Sequence, residues 1–159
     1  MIINRLFKRP DPSPLLTSRL YDERSFYPAF MNDLAKCKRE LIIESPFITH
    51  KRLNALYPSF RRLTKRGVHI VINTRDPKEH EYRMLEEAKQ AISVLQSLDV
   101  VVMFTEKHHR KLALVDRAIL YEGSLNILSQ SVSCEVMRRI ESANLAAEML
   151  EFIKISNFF

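Results

Sequence analysis

The sequence predicts an α/β fold in which helices flank one mixed β-sheet. Helical patterns alternate with short apolar runs along most of the chain, two such runs follow one another closely after residue 110, and 46% of the 159 residues are hydrophobic. The alternation favours a sheet with helices packed on it. The two closely spaced runs predict an antiparallel strand pair, because a short connection cannot join parallel neighbours, so the sheet is expected to be mixed. This length fits one domain of roughly 100–200 residues, whose core folds without disulfides.

Helices are predicted where apolar residues recur at spacings of three and four. The first starts near Ser25, with Pro28 in its first turn. The second is expected to be interrupted at Pro58 and to stop at Gly67, which suits the left-handed position after a helix. The predicted helices cover residues 25–39, 50–66 and 80–98, with a closing helix around 145–152.

Strands are predicted from short apolar runs rich in β-branched residues. They cover residues 41–45, 68–73, 100–104, 111–116, 118–122 and 133–140. Residues 1–20 are predicted to be an extended arm, because Pro10 and Pro14 disfavour a helix there. Residues 21–159 would then form the single globular domain.

Net charge and cysteine content indicate the class of partner and the compartment to expect. The formal net charge is +6 and the pI is about 9.5, which favours polyanionic partners. The apolar runs are too short to span a membrane, and the first residues lack the apolar stretch of a signal peptide. We therefore expect a cytoplasmic protein without stable membrane association, in which Cys37 and Cys134 are buried, reduced side chains.

The most informative residues lie between positions 109 and 126. If a strand begins at Lys111, His109 and Lys111 project to one face, because side chains alternate along a strand. Ser124 and Asn126 are also two apart, and Gly123 permits a close backbone approach. An imidazole, an ammonium and neutral donors together suit a phosphate oxyanion. Taken singly each has an ordinary explanation, and His108 alone would be a solvated turn residue.

The spacing His109-x-Lys111-x4-Asp116-x6-Gly123-Ser124-x-Asn126 resembles the signature of the phospholipase D superfamily at every position. Residues 42–48 and 67–72 resemble the two strands that precede the signature in that family. Glu135 falls where members commonly carry a carboxylate that orients the histidine. The resemblance covers about residues 22–155 and implies a phospholipase D-like fold.

The chain carries one copy of the signature, whereas the phospholipases carry two. Small one-copy members are mostly nucleases that build one site across a homodimer. The resemblance thus implies a phosphodiesterase that works without metal or other cofactor, through a phosphohistidine formed on His109, with the partner subunit's His109 as acid and base. It also implies that Lys111 and Asn126 hold the phosphate oxygens, that Ser124 supports the phosphate or a histidine, and that Glu135 accepts a ring N–H. We interpret Asp116, which the signature includes, as a brace within the motif rather than a proton carrier.

The predicted substrate rests on a basic stretch. Residues 45–75 contain seven Lys and Arg and no Asp or Glu. Such a run is usually a solvated face, but beside a phosphodiesterase site it favours contacts with DNA or RNA phosphates. Two alternatives stay open: a phospholipid phosphodiesterase or phosphatidyl transferase, and an inactive nucleic-acid-binding module. The predicted substrate-binding residues are Lys51, Arg52, Arg61, Arg62, Lys65 and Arg66.

Overall fold

A computed structural model describes residues 13–155 as a seven-stranded mixed sheet packed against helices. The sheet order is β1-β7-β6-β5-β2-β3-β4. The strands are β1 (Arg19–Asp22), β2 (Glu40–Glu44), β3 (His69–Arg75), β4 (Val101–Thr105), β5 (Leu112–Val115), β6 (Ile119–Gly123) and β7 (Val136–Glu141). The helices are α1 (Phe26–Lys36), α2 (His50–Lys65), α3 (Tyr82–Gln96) and α4 (Ala143–Ile153), with a short 3-10 helix at Pro77–Glu79.

The strand directions place several strand ends and starts at the same edge of the sheet. Strands β2, β3 and β4 are parallel, while β5, β6, β7 and β1 pair in antiparallel fashion. Glu44 at the end of β2 lies opposite Leu112 at the start of β5. We call the edge where β2, β3 and β4 end the carboxyl edge, and the edge where they begin the amino edge. The start of β5, the end of β6 and the start of β7 therefore all lie at the carboxyl edge.

Each face of the sheet buries its own apolar cluster. Helices α1, α2 and α3 cover one face, around residues such as Phe30, Phe60 and Ile43. Helix α4 covers the other face, around Ile42 and Leu150. Adjacent residues of β2 thus face opposite clusters, and such two-sided burial explains its unbroken apolar sequence. Within residues 13–155, no helix has the length and apolar content needed to cross a bilayer.

The structure confirms the predicted mixed α/β sheet, with three local corrections. Residues 1–12 of the predicted arm lie outside the described residues, but residues 19 and 20 belong to β1, which pairs with β7. Helix α2 is not interrupted at Pro58 but continues through it. Proline has no N–H to donate to the Asn54 carbonyl, but both residues are exposed, so water can bind that carbonyl instead. Cys37 is buried as predicted, whereas Cys134 is exposed.

Candidate active site

His109 and Lys111 lie on the irregular segment between β4 and β5, at the carboxyl edge. Lys111 Nζ is 3.1 Å from Nδ1 and 3.4 Å from Nε2 of His109, and it donates a hydrogen bond to the His109 carbonyl at 2.6 Å. The His109 side chain is exposed. The two side chains expected to project together are therefore in contact at the protein surface.

The loop after β6 brings Ser124 and Asn126 to the same edge. Leu125 and Ile127 are fully buried and anchor this loop, which leaves Ser124 exposed and Asn126 half-buried. A Cβ at Gly123 would lie 2.1 Å from the Val136 carbonyl oxygen, so this position requires glycine for the close approach of β7. The buried Oδ1 of Asn126 has no hydrogen-bond partner among residues 13–155.

Glu135 stands just before β7 and joins the site through two serines. Its carboxylate accepts hydrogen bonds from the Ser124 hydroxyl and, at 2.7 Å, from the Ser133 hydroxyl. Ser124 Oγ in turn accepts from the Val136 N–H at 3.1 Å. Glu135 thus orients Ser124 in this structure, while the nitrogens of His109 face Lys111.

A groove of about 880 Å³ opens at these residues. His109, Lys111 and Ser124 line its polar side, and exposed apolar side chains line the other, with Leu20 59% and Phe152 70% exposed. The pKa of Lys111 is lowered by burial and by the nearby charge of Arg75, against the opposing effect of the Glu135 carboxylate. The groove therefore presents a partly desolvated cation beside an apolar wall.

Asp116 lies at the opposite, amino edge of the sheet. Its carboxylate accepts backbone hydrogen bonds from Lys38, Arg39 and Glu40, at 2.9, 2.8 and 3.1 Å, and one from the Cys37 thiol. Burial opposes ionisation of Asp116, but these hydrogen bonds outweigh it and lower the pKa. The structure thus separates Asp116 from the other motif residues and gives it the contacts of a brace.

A network beneath His109 escaped the sequence analysis. Glu44 is fully buried, and its carboxylate accepts hydrogen bonds from Arg110 and Asn73. His108 is 3% exposed, so the expectation of a solvated turn residue is wrong, and burial lowers its pKa. The Arg75 guanidinium binds the His108 carbonyl at 3.1 and 2.9 Å. The sequence signal that could have found this network is the charged Glu44 at the end of an apolar run.

The basic stretch divides between the two edges, because α2 starts at the carboxyl edge and runs back to the amino edge. At about 1.5 Å per residue, Arg61 is roughly 16 Å along the helix axis from His50. Lys51 and Arg52 therefore lie at the carboxyl edge. Arg61, Arg62, Lys65 and Arg66 lie toward the amino edge, where the structure does not bring them to His109.

Several of these cations have acceptors within the chain. Arg52 donates to the Gln130 carbonyl and stacks over the Tyr27 ring, with 3.7 Å from its central carbon to the ring centroid. Arg66 donates to the carbonyls of residues 34, 35 and 37 at the end of α1, and Arg62 donates to Ser59. Among the six predicted substrate-binding cations, Lys51, Arg61 and Lys65 make no side-chain hydrogen bond or ion pair with residues 13–155.

In the described part of the chain, no three His, Cys, Asp or Glu side chains converge as they would around a metal ion. The ionisable side chains that line the groove are His109, Arg110, Lys111, Glu122 and Arg138.

The family model for the cardiolipin synthase, PLD-like domain matches residues 30–155. This chain belongs to the phospholipase D superfamily. Its PLD-like domain has the fold of Nuc from Salmonella typhimurium, a phospholipase D family member, with a TM-score of 0.69, 16% identity, and 86% of this chain covered against 90% of that one.

Two further solved structures share the fold of the PLD-like domain. TrmBL2, an archaeal chromatin protein that binds DNA, matches with a TM-score of 0.56 and 13% identity, over 86% of this chain and 51% of that one. Phosphatidylserine synthase from Haemophilus influenzae Rd KW20 matches with a TM-score of 0.61 and 12% identity, over 88% of this chain and 37% of that one. A search of curated proteins finds no match. Membership of the superfamily supports a phosphodiesterase-type enzyme.

Proposed function

We propose that the chain hydrolyses phosphodiester bonds of nucleic acid, DNA or RNA, through a phosphohistidine at a site formed by two subunits. The observation that carries the proposal is the contact of Lys111 Nζ with both ring nitrogens of His109, at 3.1 and 3.4 Å, in a groove that Ser124 also lines. A fixed cation beside an exposed imidazole suits phosphoryl transfer, because it stabilises negative charge on the phosphate oxygens.

A second subunit is part of the proposal because the reaction needs groups on opposite sides of phosphorus. One chain supplies one His109, which cannot occupy both sides. A twofold axis at the groove would supply the second imidazole. The exposed apolar side chains Leu20, Val136 and Phe152 line the same groove, and a second copy of this chain would bury them.

The proposed reaction has two displacements. A ring nitrogen of His109 attacks phosphorus, the P–O bond to the leaving alkoxide breaks, and His109 of the partner subunit donates the proton that the alkoxide takes. Water then attacks the phosphohistidine and gives its proton to the partner's His109. The P–N bond breaks, which leaves a phosphate monoester and both histidines in their starting states.

The remaining motif residues would position the phosphate. Lys111 supplies positive charge, and the Asn126 amide donates a hydrogen bond to a nonbridging phosphate oxygen. Ser124 is held by Glu135 and Val136 with its hydroxyl at the groove. In this proposal Glu135 also accepts an N–H from a histidine ring. Its charge already acts on Lys111 at the site.

Nucleic acid is the favoured substrate because exposed cations extend beyond the site. Lys51 lies at the carboxyl edge, while Arg61 and Lys65 extend the positive surface along α2. A long polyanion can reach such separated cations, whereas one phospholipid headgroup cannot. The DNA-binding relative TrmBL2 shares the fold and is consistent with this substrate.

A second candidate is phospholipid hydrolysis or phosphatidyl transfer. The observation that favours it is the apolar wall of the groove, where Leu20, Val136 and Phe152 are 59%, 47% and 70% exposed. An acyl chain could cover these side chains in place of a second subunit. The fold shared with phosphatidylserine synthase is consistent with this alternative.

A cytoplasmic location completes the proposal. Cys37 and Cys134 are both free thiols in the structure, and Cys134 is exposed. Free thiols persist in a reducing compartment. A fluorescently tagged chain that is exported in cells would contradict this location.

Substrate choice and catalysis are tested together by comparing DNA, RNA and phosphatidylcholine vesicles as substrates for the wild type and His109→Gln. The proposal predicts soluble nucleotide fragments from wild type only. Release of choline from vesicles without nucleic-acid cleavage would favour the lipid enzyme. Binding of nucleic acid without any cleavage would indicate the inactive binding module.

The shared site is tested by refolding wild-type chains with an excess of His109→Gln chains. If each site needs two His109 side chains, the activity per wild-type chain falls as the mutant excess grows. Undiminished activity per wild-type chain would contradict the shared site. Light scattering on the same samples reports whether the chains are dimers.

A further inference from the structure

We propose that Arg110 and Glu44 are positioning residues that hold His109 and Lys111 in register for the reaction. Arg110 lies between the two in sequence and lines the same groove. Its Nε and one terminal nitrogen donate to the two oxygens of Glu44, the second at 2.9 Å. The Glu44 side chain is completely buried, whereas that of Arg110 is 39% exposed.

The carboxylate that receives Arg110 is itself fixed from the other side. Asn73 Nδ2 donates to Glu44 Oε1 at 3.0 Å, and Asn73 Oδ1 accepts from the Thr105 hydroxyl at 3.0 Å. Glu44 ends β2, Thr105 ends β4, and Asn73 lies two positions before the end of β3. Arg110 is thus tied to the rigid carboxyl edge of the parallel strands, and a bidentate Arg–carboxylate pair fixes direction as well as distance.

The segment that carries His109 needs such ties because it has no strand of its own. Residues 106–111 follow β4 without regular structure, and β5 begins only at Leu112. Glu79 accepts the Lys107 N–H at 3.0 Å, and Arg75 binds the His108 carbonyl at 3.1 and 2.9 Å. Arg110 adds a side-chain tie at the position between His109 and Lys111, so its loss would free the imidazole and the Lys111 ammonium together.

A second bidentate pair joins the same two strands at their other ends and provides a matched control. Arg117 donates to Glu40 at 2.8 and 3.0 Å, at the amino edge, where β2 begins and β5 has ended. Both pairs link β2 to a residue that flanks β5. The Arg110–Glu44 pair alone lies beside His109, so a general loss of stability and a loss of positioning can be told apart.

The experiment replaces each pair by leucines, Arg110→Leu with Glu44→Leu and, as control, Arg117→Leu with Glu40→Leu. Apolar replacement of both partners avoids leaving one buried charge alone. We measure kcat and KM on bis-p-nitrophenyl phosphate, the melting temperature, and the NMR signals of the His109 ring. A displacement of about 1 Å at a reacting group costs about 10²-fold in rate, so we expect kcat to fall by about that factor in the first variant, with KM little changed. The control should keep the kcat and the His109 signals of the wild type.

Folded Arg110→Leu/Glu44→Leu protein with wild-type kcat would overturn the inference, as would an equal fall of kcat in both leucine variants. If the first variant does not fold, Arg110→Lys replaces it, because this change keeps the charge opposite Glu44 and removes the fork. Arg110→Lys should lower kcat, and a kcat equal to that of the wild type would again overturn the inference.

The kinetic readout rests on the proposed phosphodiesterase activity, whereas the NMR readout does not. If the wild type hydrolyses no phosphodiester, the proposed function fails and the His109 signals decide the positioning role. Signals that shift or broaden only in the variant of the Arg110–Glu44 pair support it. Signals that match the wild type in both variants contradict it.

Discussion

Replacing Asp116 by Asn tests whether a residue of the phospholipase D-like signature serves the fold rather than the reaction. Asp116 lies at the amino edge, and its carboxylate accepts three backbone hydrogen bonds from residues 38–40. Its φ is 53°, in the left-handed region, which Asn tolerates better than Ala. Asn therefore removes the charge and one acceptor without adding backbone strain.

The expected loss of stability follows from the contacts of each oxygen. Oδ1 accepts from Arg39 and Glu40, and Oδ2 accepts from Lys38. In the variant the first two hydrogen bonds lose charge assistance, at about 1 kcal/mol each, and the amide nitrogen cannot accept the third, for about another 1 kcal/mol. Water reaches the exposed Lys38 N–H, so we expect the free energy of unfolding to fall by about 2–3 kcal/mol. For a domain of this size, that is roughly 5–10 °C in melting temperature.

The assay combines thermal and urea unfolding, followed by circular dichroism, with kcat measured at a temperature where wild type and variant are both folded. Asp99→Asn is the matched control, since Asp99 is exposed with φ 61°. We expect the control to be unchanged and Asp116→Asn to be less stable with wild-type kcat. Because the folded state lowers the pKa of Asp116 below 3.8, the carboxylate stabilises the fold above that pH. The difference between wild type and Asp116→Asn should therefore shrink as the pH falls below about 3.8.

Two outcomes would refute this reasoning. A variant with wild-type stability and a kcat lowered by about 10² or more would show that Asp116 acts in catalysis. A loss of stability that stays constant down to low pH would show that the ionised carboxylate is not the stabilising species.

Three further predictions concern pH, salt and metal. Burial lowers the pKa of His108 below 6.5, so the unfolded chain takes up its proton first and stability should fall as the pH drops below about 6.5. Burial and the charge of Arg75 also lower the pKa of His80, so His108→Gln should weaken this pH dependence rather than abolish it. The exposed His109→Gln is the control, and an unchanged pH profile would contradict the prediction. The double substitution Arg61→Gln with Lys65→Gln should reduce the slope of log affinity for nucleic acid against log salt concentration by about 2. Turnover of bis-p-nitrophenyl phosphate should stay constant. An unchanged slope would show that both residues only form a solvated face. Cleavage should continue in excess EDTA, because Lys111 and Asn126 of two subunits supply the electrostatic stabilisation; loss of activity that Mg²⁺ or Mn²⁺ restores would point to a different site.

Local sequence determined the helices, most strands and the composition of the motif. Periodicity of apolar residues reports burial over a few turns or strand positions, so the elements could be placed within a few residues. The contact between His109 and Lys111 followed from the two-residue period of an extended chain, although both precede β5. Gly123 was singled out for a close approach, and β7 supplies it.

Tertiary structure alone decided which side chains meet across the sheet. Strand β1 exists through its pairing with β7, more than 100 residues later, and no local pattern signals it. Strand β5 crosses the sheet between His109 and Asp116 and so puts them at opposite edges, although they are only seven positions apart. Helix α2 runs from the carboxyl edge back to the amino edge. It therefore places Arg61 and Lys65 away from the site that the sequence had predicted them to serve.

The same reason explains why the support beneath His109 was missed. Arg110 and Glu44 are 66 residues apart and meet only because β5 pairs with β2. His108 is buried by the elements packed around it, while its neighbours in sequence are polar and exposed or half-buried. Sequence patterns carry the preferences of adjacent residues, whereas contacts between distant segments depend on strand order and direction. The groups that can react were therefore legible in the sequence, and the groups that hold them in place became visible only in the folded chain.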